Sequence, residues 1–300
     1  MGVLVNALEF LFIKTYWGSF ACMIFIPFII FNYMKERKHK TLQKTVNTIA
    51  DNKKAKRKEA ADDSDDDSDN EEEDQPALEA DLEHIPFKRE MLKAGEMIEK
   101  SKQFYEEMNK RRTLRFYSDK QVPREVIENI IKTAGTAPSG AHTEPWTYVV
   151  VQDQEVKEKV REIIEEEEEI NYTQRMGDKW TTDLKPLKTD WVKPYLTTAP
   201  YLILLFKQTH GILPNGKKKV HYYNEISCSI SAGLLLAAIQ MSGLVTLTST
   251  PLNCGPALRT LLKRPANEKL LMLLPVGYPA EDATVPDLQR KNLEDIMVIC

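Results

Sequence analysis

The sequence predicts an α+β domain over residues 86–300, with helices on both faces of a central sheet. Three uninterrupted apolar runs, at 146–151, 201–206 and 270–276, predict buried strands. Strands without polar alternation are typical of a sheet that is covered on both faces. The run 225–241 is nearly all small or apolar, which predicts a core helix. A domain of this length buries a sizeable core.

Three further segments have the 3–4 spacing of apolar residues that is typical of amphipathic helices. They lie at 88–109, 123–135 and 156–176. Pro123 stands in the first turn of the second helix and Gly135 closes it, as helix-end preferences favour.

The remaining segments predict shorter elements. We expect a polar loop at 207–219, a third strand at 244–250 that Pro251 ends, and a short helix at 256–263. Residues 296–299 are apolar at the end of a polar segment, which favours docking elsewhere, such as on a second subunit.

Residues 171–198 are predicted to form a lid segment over a ligand site. From residue 177 onward the run contains Trp180 and Trp191 but shows little periodicity. Long irregular runs in compact domains often cover active sites. A variable surface insertion is the alternative interpretation.

The first 85 residues differ from the domain, and residues 15–34 contain no charged residue. A helix of this length spans roughly 30 Å, which matches the hydrocarbon core of a bilayer. A cleaved signal peptide is the alternative, but no small-residue cleavage site follows. Lys14 is the only basic residue close before the run. Four basic residues follow it closely: Lys35, Arg37, Lys38 and Lys40. We therefore predict a single-pass membrane anchor with the rest of the chain in the cytoplasm.

Residues 35–85 predict a charged, disordered tether. Ten of the 13 residues at 62–74 are acidic, so this run repels itself and buries no apolar surface. A solvated spacer is one interpretation. Ser64 and Ser68 are each followed by acidic residues, which also favours phosphorylation by an acidophilic kinase.

Several classes of function lack their sequence signals. Residues 86–300 contain 30 basic and 28 acidic residues, so no basic field attracts nucleic acid. No Gly-x-Gly pair is present, which excludes a dinucleotide fingerprint and a Walker loop. Histidine and cysteine spacing predicts neither a metal site nor a disulfide framework.

One polar loop, at 137–146, lies between a predicted helix and a predicted strand. Its sequence is Ala-Pro-Ser-Gly-Ala-His-Thr-Glu-Pro-Trp, and its prolines and glycine prevent a regular element. An ordinary helix–strand connection is one interpretation. A ligand site is the other, because open sheets bind ligands near strand ends.

Upstream, Arg111, Arg112 and Arg115 form a basic cluster, and such a cluster suits a phosphate ester. Basic residues near helix ends are also common for electrostatic reasons. Further along, Glu168 and Tyr172 are four residues apart on one helix face. The rest of the acidic run 165–169 is expected to be a solvated face.

These motifs resemble the Ala-Pro-Ser…Pro-Trp loop and the basic opening of the nitroreductase-like flavoproteins. Many members carry Asn and Gln where this chain has His142 and Glu144. Over residues 83–297 the sequence is similar to the iodotyrosine deiodinase branch of that family. The longest matching runs are 133–146, 163–172, 216–227, 250–255 and 265–279.

The resemblance implies a nitroreductase-like fold with a mixed sheet, as a homodimer that exchanges C-terminal arms and holds one FMN at each interface. It assigns Thr250 a catalytic role as donor to the flavin N5. The residues that it assigns to FMN are Arg111, Arg112, Thr113, Leu114, Arg115, Ser139, Thr248, Ser249, Thr250 and Arg290. Those that it assigns to the substrate are Ala141, Glu168, Tyr172 and Lys193.

The implied activity is reductive dehalogenation of mono- and diiodotyrosine to tyrosine and halide. NADPH would be the ultimate electron source, through a separate flavin reductase or other donor. One alternative is a nitroreductase or quinone reductase that NAD(P)H reduces directly. The other is a non-catalytic membrane module that binds halotyrosine or flavin.

Overall fold

The computed structural model describes residue 78 and residues 81–300. The predicted membrane anchor and most of the predicted tether lie outside these residues. Across the part of the chain that is described, no helix is both long and apolar enough to cross a bilayer.

The central sheet has four strands in the order β1-β2-β6-β5. They are β1 (Trp146–Val151), β2 (Tyr201–Gln208), β5 (Val245–Thr246) and β6 (Glu268–Gly277), and neighbours run antiparallel. A parallel bridge from Thr113 to Thr246 adds the start of the domain to this sheet. The α+β prediction and the three strands are confirmed. The predicted mixed sheet is corrected, because all neighbouring strands run antiparallel and the parallel contact is a single isolated bridge. Strand β2 is buried along nearly its whole length, whereas β1 is an edge strand in which Val150 is exposed.

Helices cover both faces of the sheet. On one face, α3 (Gln154–Ile170) and α7 (Gly255–Leu261) pack on Leu204 and Phe206 of β2. On the other face, α2 (Arg124–Ala134) and α6 (Asn224–Met241) pack on Ile203. Leu204, Phe206 and Ile203 are fully buried, as their uninterrupted apolar sequence predicted.

Helix α1 (Ala94–Asn109) begins six residues later than predicted. The Glu96 carboxylate accepts the backbone N–H of Lys93, and this capping interaction fixes the helix start. The helix has no buried residue. Four of its large apolar side chains are more than half exposed: Met97, Ile98, Phe104 and Tyr105.

The predicted strand at 244–250 is wrong in its length, because β5 contains only Val245 and Thr246. Further along, Ser249 and Leu273 exchange two backbone hydrogen bonds, of 2.9 and 2.8 Å. If the pairing of β5 with β6 continued in the same register toward Ser249, the next hydrogen-bonded pair after Val245 and Gly277 would join Leu247 to Pro275. Pro275 has no N–H, so the ladder breaks there. The Pro275 carbonyl instead accepts the Thr246 hydroxyl at 2.8 Å.

The predicted loop at 207–219 is also corrected. It contains most of a hairpin of β3 (His210–Ile212) and β4 (Lys218–Val220), in which His210 pairs with Val220. Gly216 adopts φ +81° in the connecting turn, a conformation that glycine enters without strain.

The lid segment is more regular than its sequence predicted. Helix α3 continues as a π-helical turn at Asn171–Arg175, and α4 (Asp178–Leu184) follows. A 3-10 turn at Lys185–Leu187 and the short α5 (Tyr195–Thr198) complete the segment. Apolar periodicity fails to reveal these helices because each is too short to repeat a pattern.

Candidate active site

A cavity of about 520 Å³ lies between the lid segment and the chain that follows β5. It brings together residues that are far apart in the sequence, and most are ones that the sequence singled out. The lining residues are Arg115, Glu168, Tyr172, Met176, Trp180, Leu184, Thr189, Lys193, Tyr195, Leu247, Thr248, Ser249, Thr250 and Leu252.

Glu168 and Tyr172 reach the cavity from the end of α3 and the π-helical turn. Their four-residue spacing places them on one face of the helix, as predicted. Burial raises the pKa of the Tyr172 phenol, and the nearby Glu168 carboxylate raises it further. The Tyr172 ring packs edge-on against Trp191, with ring centroids 6.1 Å apart. A carboxylate and a phenol therefore share one wall of the cavity.

Lys193 enters the cavity from the lid segment and is only 6% exposed. Its ammonium donates to the Asp190 carbonyl and to the Thr189 hydroxyl, the latter at 3.4 Å. It lies 5.4 Å from the centroid of the Tyr172 ring. Burial lowers the pKa of Lys193, and the negative charge of Glu168 opposes that shift. One cation and one anion thus face the same space.

Met176, Trp180 and Leu184 form an apolar wall of the cavity, and of these the sequence singled out Trp180 alone, as part of the predicted lid segment. These residues continue the spacing of Tyr172 at intervals of four, and this was the available signal. Sequence reasoning also missed Thr189, whose hydroxyl hydrogen-bonds both Tyr172 and Lys193. The cavity therefore combines apolar side chains with the charged groups of Glu168 and Lys193.

Buried contacts fix the end of the lid segment on α3. The Lys157 ammonium donates to the carbonyls of Thr197 and Ala199 at 3.2 and 3.0 Å. The Glu165 carboxylate accepts the Lys193 backbone N–H and pairs with Arg161 at 2.8 Å. The lid is therefore anchored next to the residue that supplies the cation.

The prediction that the acidic run is a solvated face apart from Glu168 is corrected. Glu165 holds the lid segment, as described above, and Glu167 pairs with Arg175 at 2.8 Å. The sequence of an acidic run does not indicate which of its carboxylates form hydrogen bonds or ion pairs with other segments.

The basic cluster divides between two places. Arg115 lines the cavity beside Thr248, Ser249 and Thr250, whereas Arg111, Arg112 and Arg290 lie outside its lining. The backbone N–H of Leu114 donates to Thr246 at 3.2 Å, so the basic opening is attached directly to β5.

Arg111 and Arg290 lie next to each other without an acidic partner in residues 81–300. The Arg290 guanidinium donates to the Arg111 carbonyl at 2.8 Å and to the Asn109 side chain at 3.0 Å. Burial lowers the pKa of Arg111, and the charge of Arg290 lowers it further. Arg112 donates to the Pro286 carbonyl. Two guanidinium groups held together without a carboxylate favour an anion such as a phosphate.

The Ser139 loop forms a second, smaller cavity of about 200 Å³, which Ser139 and Gly140 line together with residues of α6. The Ser139 hydroxyl accepts the Glu144 N–H at 2.9 Å. Ala141, His142 and Glu144 all have positive φ, of 47°, 52° and 45°. Such strain in non-glycine residues clusters at functional sites. Within this chain the loop does not reach the large cavity, so Ser139 and Ala141 stay apart from Glu168.

The sequence model described as the nitroreductase family matches residues 108–278. Together with the helix-covered sheet, this match shows that the chain belongs to the nitroreductase family.

Within that family its relatives are iodotyrosine deiodinases. The Danio rerio iodotyrosine deiodinase is 68% identical over 221 residues, which cover 74% of this chain and 75% of the relative. Iodotyrosine deiodinase 1 of Homo sapiens is 68% identical over 220 residues, which cover 73% and 76% of the two chains. The predicted membership of the iodotyrosine deiodinase branch is confirmed.

A solved structure agrees with these relatives. The crystal structure of oxidized iodotyrosine deiodinase bound to FMN and 3-iodo-L-tyrosine aligns with a TM-score of 0.57 and 28% identity. The alignment covers 63% of this chain and 96% of that one.

The residues present fit FMN. The cofactor combines a phosphate monoester with a planar ring that carries hydrogen-bonding atoms. The paired guanidinium groups of Arg111 and Arg290 suit the phosphate. The cavity offers hydroxyls at Thr248, Ser249 and Thr250, and Arg115 beside them, for the polar edge of a ring. Among the described residues no cluster of histidine, cysteine, aspartate and glutamate is arranged to hold a metal ion.

Proposed function

We propose that this protein is an FMN-dependent oxidoreductase that removes iodide from mono- and diiodotyrosine and releases tyrosine. The observation that carries this function is the convergence of Glu168, Tyr172 and Lys193 on one cavity beside Thr248–Thr250. The 68% identity to iodotyrosine deiodinases supports the same substrate.

The cavity matches the two charges of a free amino acid. The Glu168 carboxylate receives the substrate ammonium, and the Lys193 ammonium receives the substrate carboxylate. Tyr172 packs beside both ends through its ring and its hydroxyl. Charge-assisted hydrogen bonds of this kind contribute about 1.5–3 kcal/mol each. The halogenated ring lies toward the apolar wall of Met176, Trp180 and Leu184.

Deiodination replaces a carbon–iodine bond by a carbon–hydrogen bond and consumes two electrons and one proton. No side chain delivers those electrons, so FMN supplies them when it is bound, and the protein supplies binding and orientation. Arg111, Arg112 and Arg290 hold the phosphate. Arg115, Thr248, Ser249 and Thr250 would contact the ring, and the Thr250 hydroxyl would donate to its reactive nitrogen N5. Thr113 and Leu114 hold this group of residues on β5 through the backbone.

A second copy of the chain completes the site. Ser139 and Ala141 lie outside the large cavity of their own chain, and their strained loop borders a separate exposed cavity. The apolar face of α1 and residues Ile296–Ile299 are exposed in the single chain. In the proposed homodimer the C-terminal arms exchange, these surfaces become buried, and Ser139 and Ala141 reach the FMN and substrate of the partner.

In this proposal electrons originate from NADPH and arrive through a separate reductase. The anchor proposed at residues 15–34 would hold the catalytic domain at the cytoplasmic face of a membrane.

The experiment uses the full chain, purified in detergent and supplied with FMN. We expect bound flavin whose fluorescence falls as 3-iodotyrosine is added, and iodide release after reduction by dithionite. A folded protein that binds no FMN would overturn the proposal. Binding of iodotyrosine without iodide release would instead favour a binding module. Rapid reduction of the flavin by NADPH alone would favour a direct nitroreductase.

A further inference from the structure

Asn171 is the first residue of the π-helical turn and stands between Glu168 and Tyr172 in the chain. It is 1% exposed and does not line the large cavity. A buried amide at this position requires partners, because an unpaired polar group in the interior is costly.

The Asn171 side chain has a partner for each of its hydrogen-bonding positions. Its Nδ2 donates to Glu168 Oε1 at 3.3 Å and to the Leu252 carbonyl at 3.5 Å. Its Oδ1 accepts from Arg175 at 3.1 Å and from Asn253 Nδ2 at 3.4 Å. An amide has two donors and two acceptor lone pairs, so all four positions are used.

These contacts join two parts of the proposed active site. Glu168 is on the lid side of the cavity. Leu252 and Asn253 belong to the loop that continues directly from Thr248–Thr250. Asn253 has φ +65°, which asparagine tolerates better than most residues, and this conformation directs the loop back toward Asn171.

We propose that Asn171 is a positioning residue that orients the Glu168 carboxylate and couples it to the loop that carries Thr250. This inference rests on the proposed function. The amide binds one oxygen of the carboxylate, and within residues 81–300 no other hydrogen bond reaches the second oxygen. That oxygen is therefore directed to the substrate ammonium. Only a neutral amide can donate to Glu168 and to Leu252 while it accepts from Arg175 and Asn253.

The first test measures binding of 3-iodotyrosine by flavin fluorescence in the full chain with FMN bound. Asn171→Leu keeps the side-chain volume and removes all four hydrogen bonds. We expect the Kd for 3-iodotyrosine to rise about 10-fold, as for loss of a hydrogen bond to a charged group. The Kd for FMN should change less than about 2-fold, because Asn171 lies outside the phosphate-binding cluster.

A double-mutant cycle with Glu168→Gln separates positioning from general destabilisation. If Asn171 acts through Glu168, Asn171→Leu has little additional effect in the Glu168→Gln background. If the two substitutions weaken binding independently, the proposal is overturned. Unchanged 3-iodotyrosine binding in Asn171→Leu would overturn it as well.

Two control variants calibrate the cycle. Gln154→Ala removes an amide-to-carboxylate contact of 3.2 Å in the first turn of α3, far along the helix from the cavity. Glu268→Gln removes a buried contact that does not line the cavity. Both controls should bind 3-iodotyrosine as the unsubstituted protein does.

A milder variant covers the case in which Asn171→Leu fails to fold. Asn253→Gly removes one partner amide and keeps the positive φ. We expect a rise of about 3-fold in the Kd for 3-iodotyrosine, again absent in the Glu168→Gln background. If this variant shows no effect, the coupling to the loop is wrong. If the unsubstituted protein itself fails to bind 3-iodotyrosine, the proposed function fails and not the role of Asn171.

Discussion

The ammonium of Lys193 lies 5.4 Å from the centroid of the Tyr172 ring. Tyr172 lies in the π-helical turn that opens the lid segment and Lys193 lies near its end, so this contact joins the two ends of the segment. A cation over an aromatic face is stabilised by the ring electrons, more strongly where water is excluded. The Lys193 ammonium is thus held beside the Tyr172 ring within the cavity.

Replacing Lys193 by Met removes the cation but keeps a long apolar side chain. We expect the Kd for 3-iodotyrosine to rise by roughly 10- to 100-fold, because one charge-assisted contact with the substrate carboxylate is lost. Fluorescence titration of the FMN-bound protein measures this change. An iodophenol, which has no carboxylate, serves as the comparison ligand and should bind equally well to both proteins.

Glu168→Gln tests the opposite end of the cavity. The amide has nearly the same shape as the carboxylate but no charge, so binding of the substrate ammonium should weaken by about 10-fold or more. FMN content, read from the flavin absorbance of the purified protein, should remain the same. Unaltered affinity for 3-iodotyrosine would show that Glu168 does not bind the ammonium.

Thr250→Ala tests the proposed contact with the flavin. We expect slower iodide release, by about 10-fold or more, with little change in the Kd for 3-iodotyrosine, because the hydroxyl contacts the cofactor and not the amino acid. Thr250→Ser retains the hydroxyl and should recover most of the rate. If Ser is as slow as Ala, the hydroxyl is not the group that matters.

Arg290→Ala separates cofactor binding from substrate recognition. Arg290 donates to the Arg111 carbonyl and to the Asn109 side chain, and in the proposed site its charge binds the FMN phosphate. We expect FMN to bind at least 10-fold more weakly, as measured by titration of the flavin-free protein. Arg124→Ala, which breaks only an exposed pair with Glu128, is the matched control and should bind FMN normally.

Glu268 provides a prediction about pH. It is buried, and it accepts from Arg264 at 2.7 and 2.9 Å and from Thr147 at 2.7 Å. Burial alone would raise the pKa of Glu268, but these hydrogen bonds outweigh it and the pKa is lowered.

A lowered carboxyl pKa stabilises the fold above the pKa of the unfolded chain, about 4.3, and that stability is lost as the pH falls through the folded pKa. Glu268→Gln should therefore unfold at a lower urea concentration near neutral pH, because its free energy of unfolding falls by about 2 kcal/mol. The difference from the unsubstituted protein should shrink in acid. Urea titrations at several pH values measure both effects, and a difference that is constant with pH would contradict the assignment.

Gly140 is required by a close backbone approach. A Cβ at this position would lie 2.8 Å from the Tyr222 carbonyl oxygen, which is too close for contact. Gly140→Ala should cost about 1–3 kcal/mol of unfolding free energy and disturb the Ser139 cavity. Gly135→Ala is the control, because its φ is −65° and a Cβ there makes ordinary contacts.

The sequence alone was sufficient to predict the strands of the sheet and the main helices that cover it. The run at Tyr201 becomes a central strand because its continuous apolar residues must be buried on both faces, whereas the run at Trp146 forms the edge strand β1, in which Val150 is exposed. Sequence resemblance also identified the cavity residues Glu168, Tyr172 and Lys193, which the structure brings together.

Other features depend on contacts between distant segments and have no local signal. Glu165 and Glu167 sit in one acidic run, yet each meets a different partner. The short helix α5 is fixed by the contacts of Lys157 with the carbonyls of Thr197 and Ala199, and it is too short to show a periodic pattern. Asn171 is an ordinary residue in the sequence, and two of its four contacts, those with Leu252 and Asn253, come from a segment about 80 residues away.

The break in the β5–β6 ladder gives an unexpected importance to a residue that touches neither cavity. Pro275 cannot donate a backbone hydrogen bond to Leu247, and β5 therefore ends just before the three hydroxyl residues Thr248–Thr250. Any amino acid with an amide hydrogen at this position would allow the two strands to pair continuously as far as Ser249. The conformation of the hydroxyl residues in the proposed active site would then depend on the absence of a backbone amide hydrogen at Pro275.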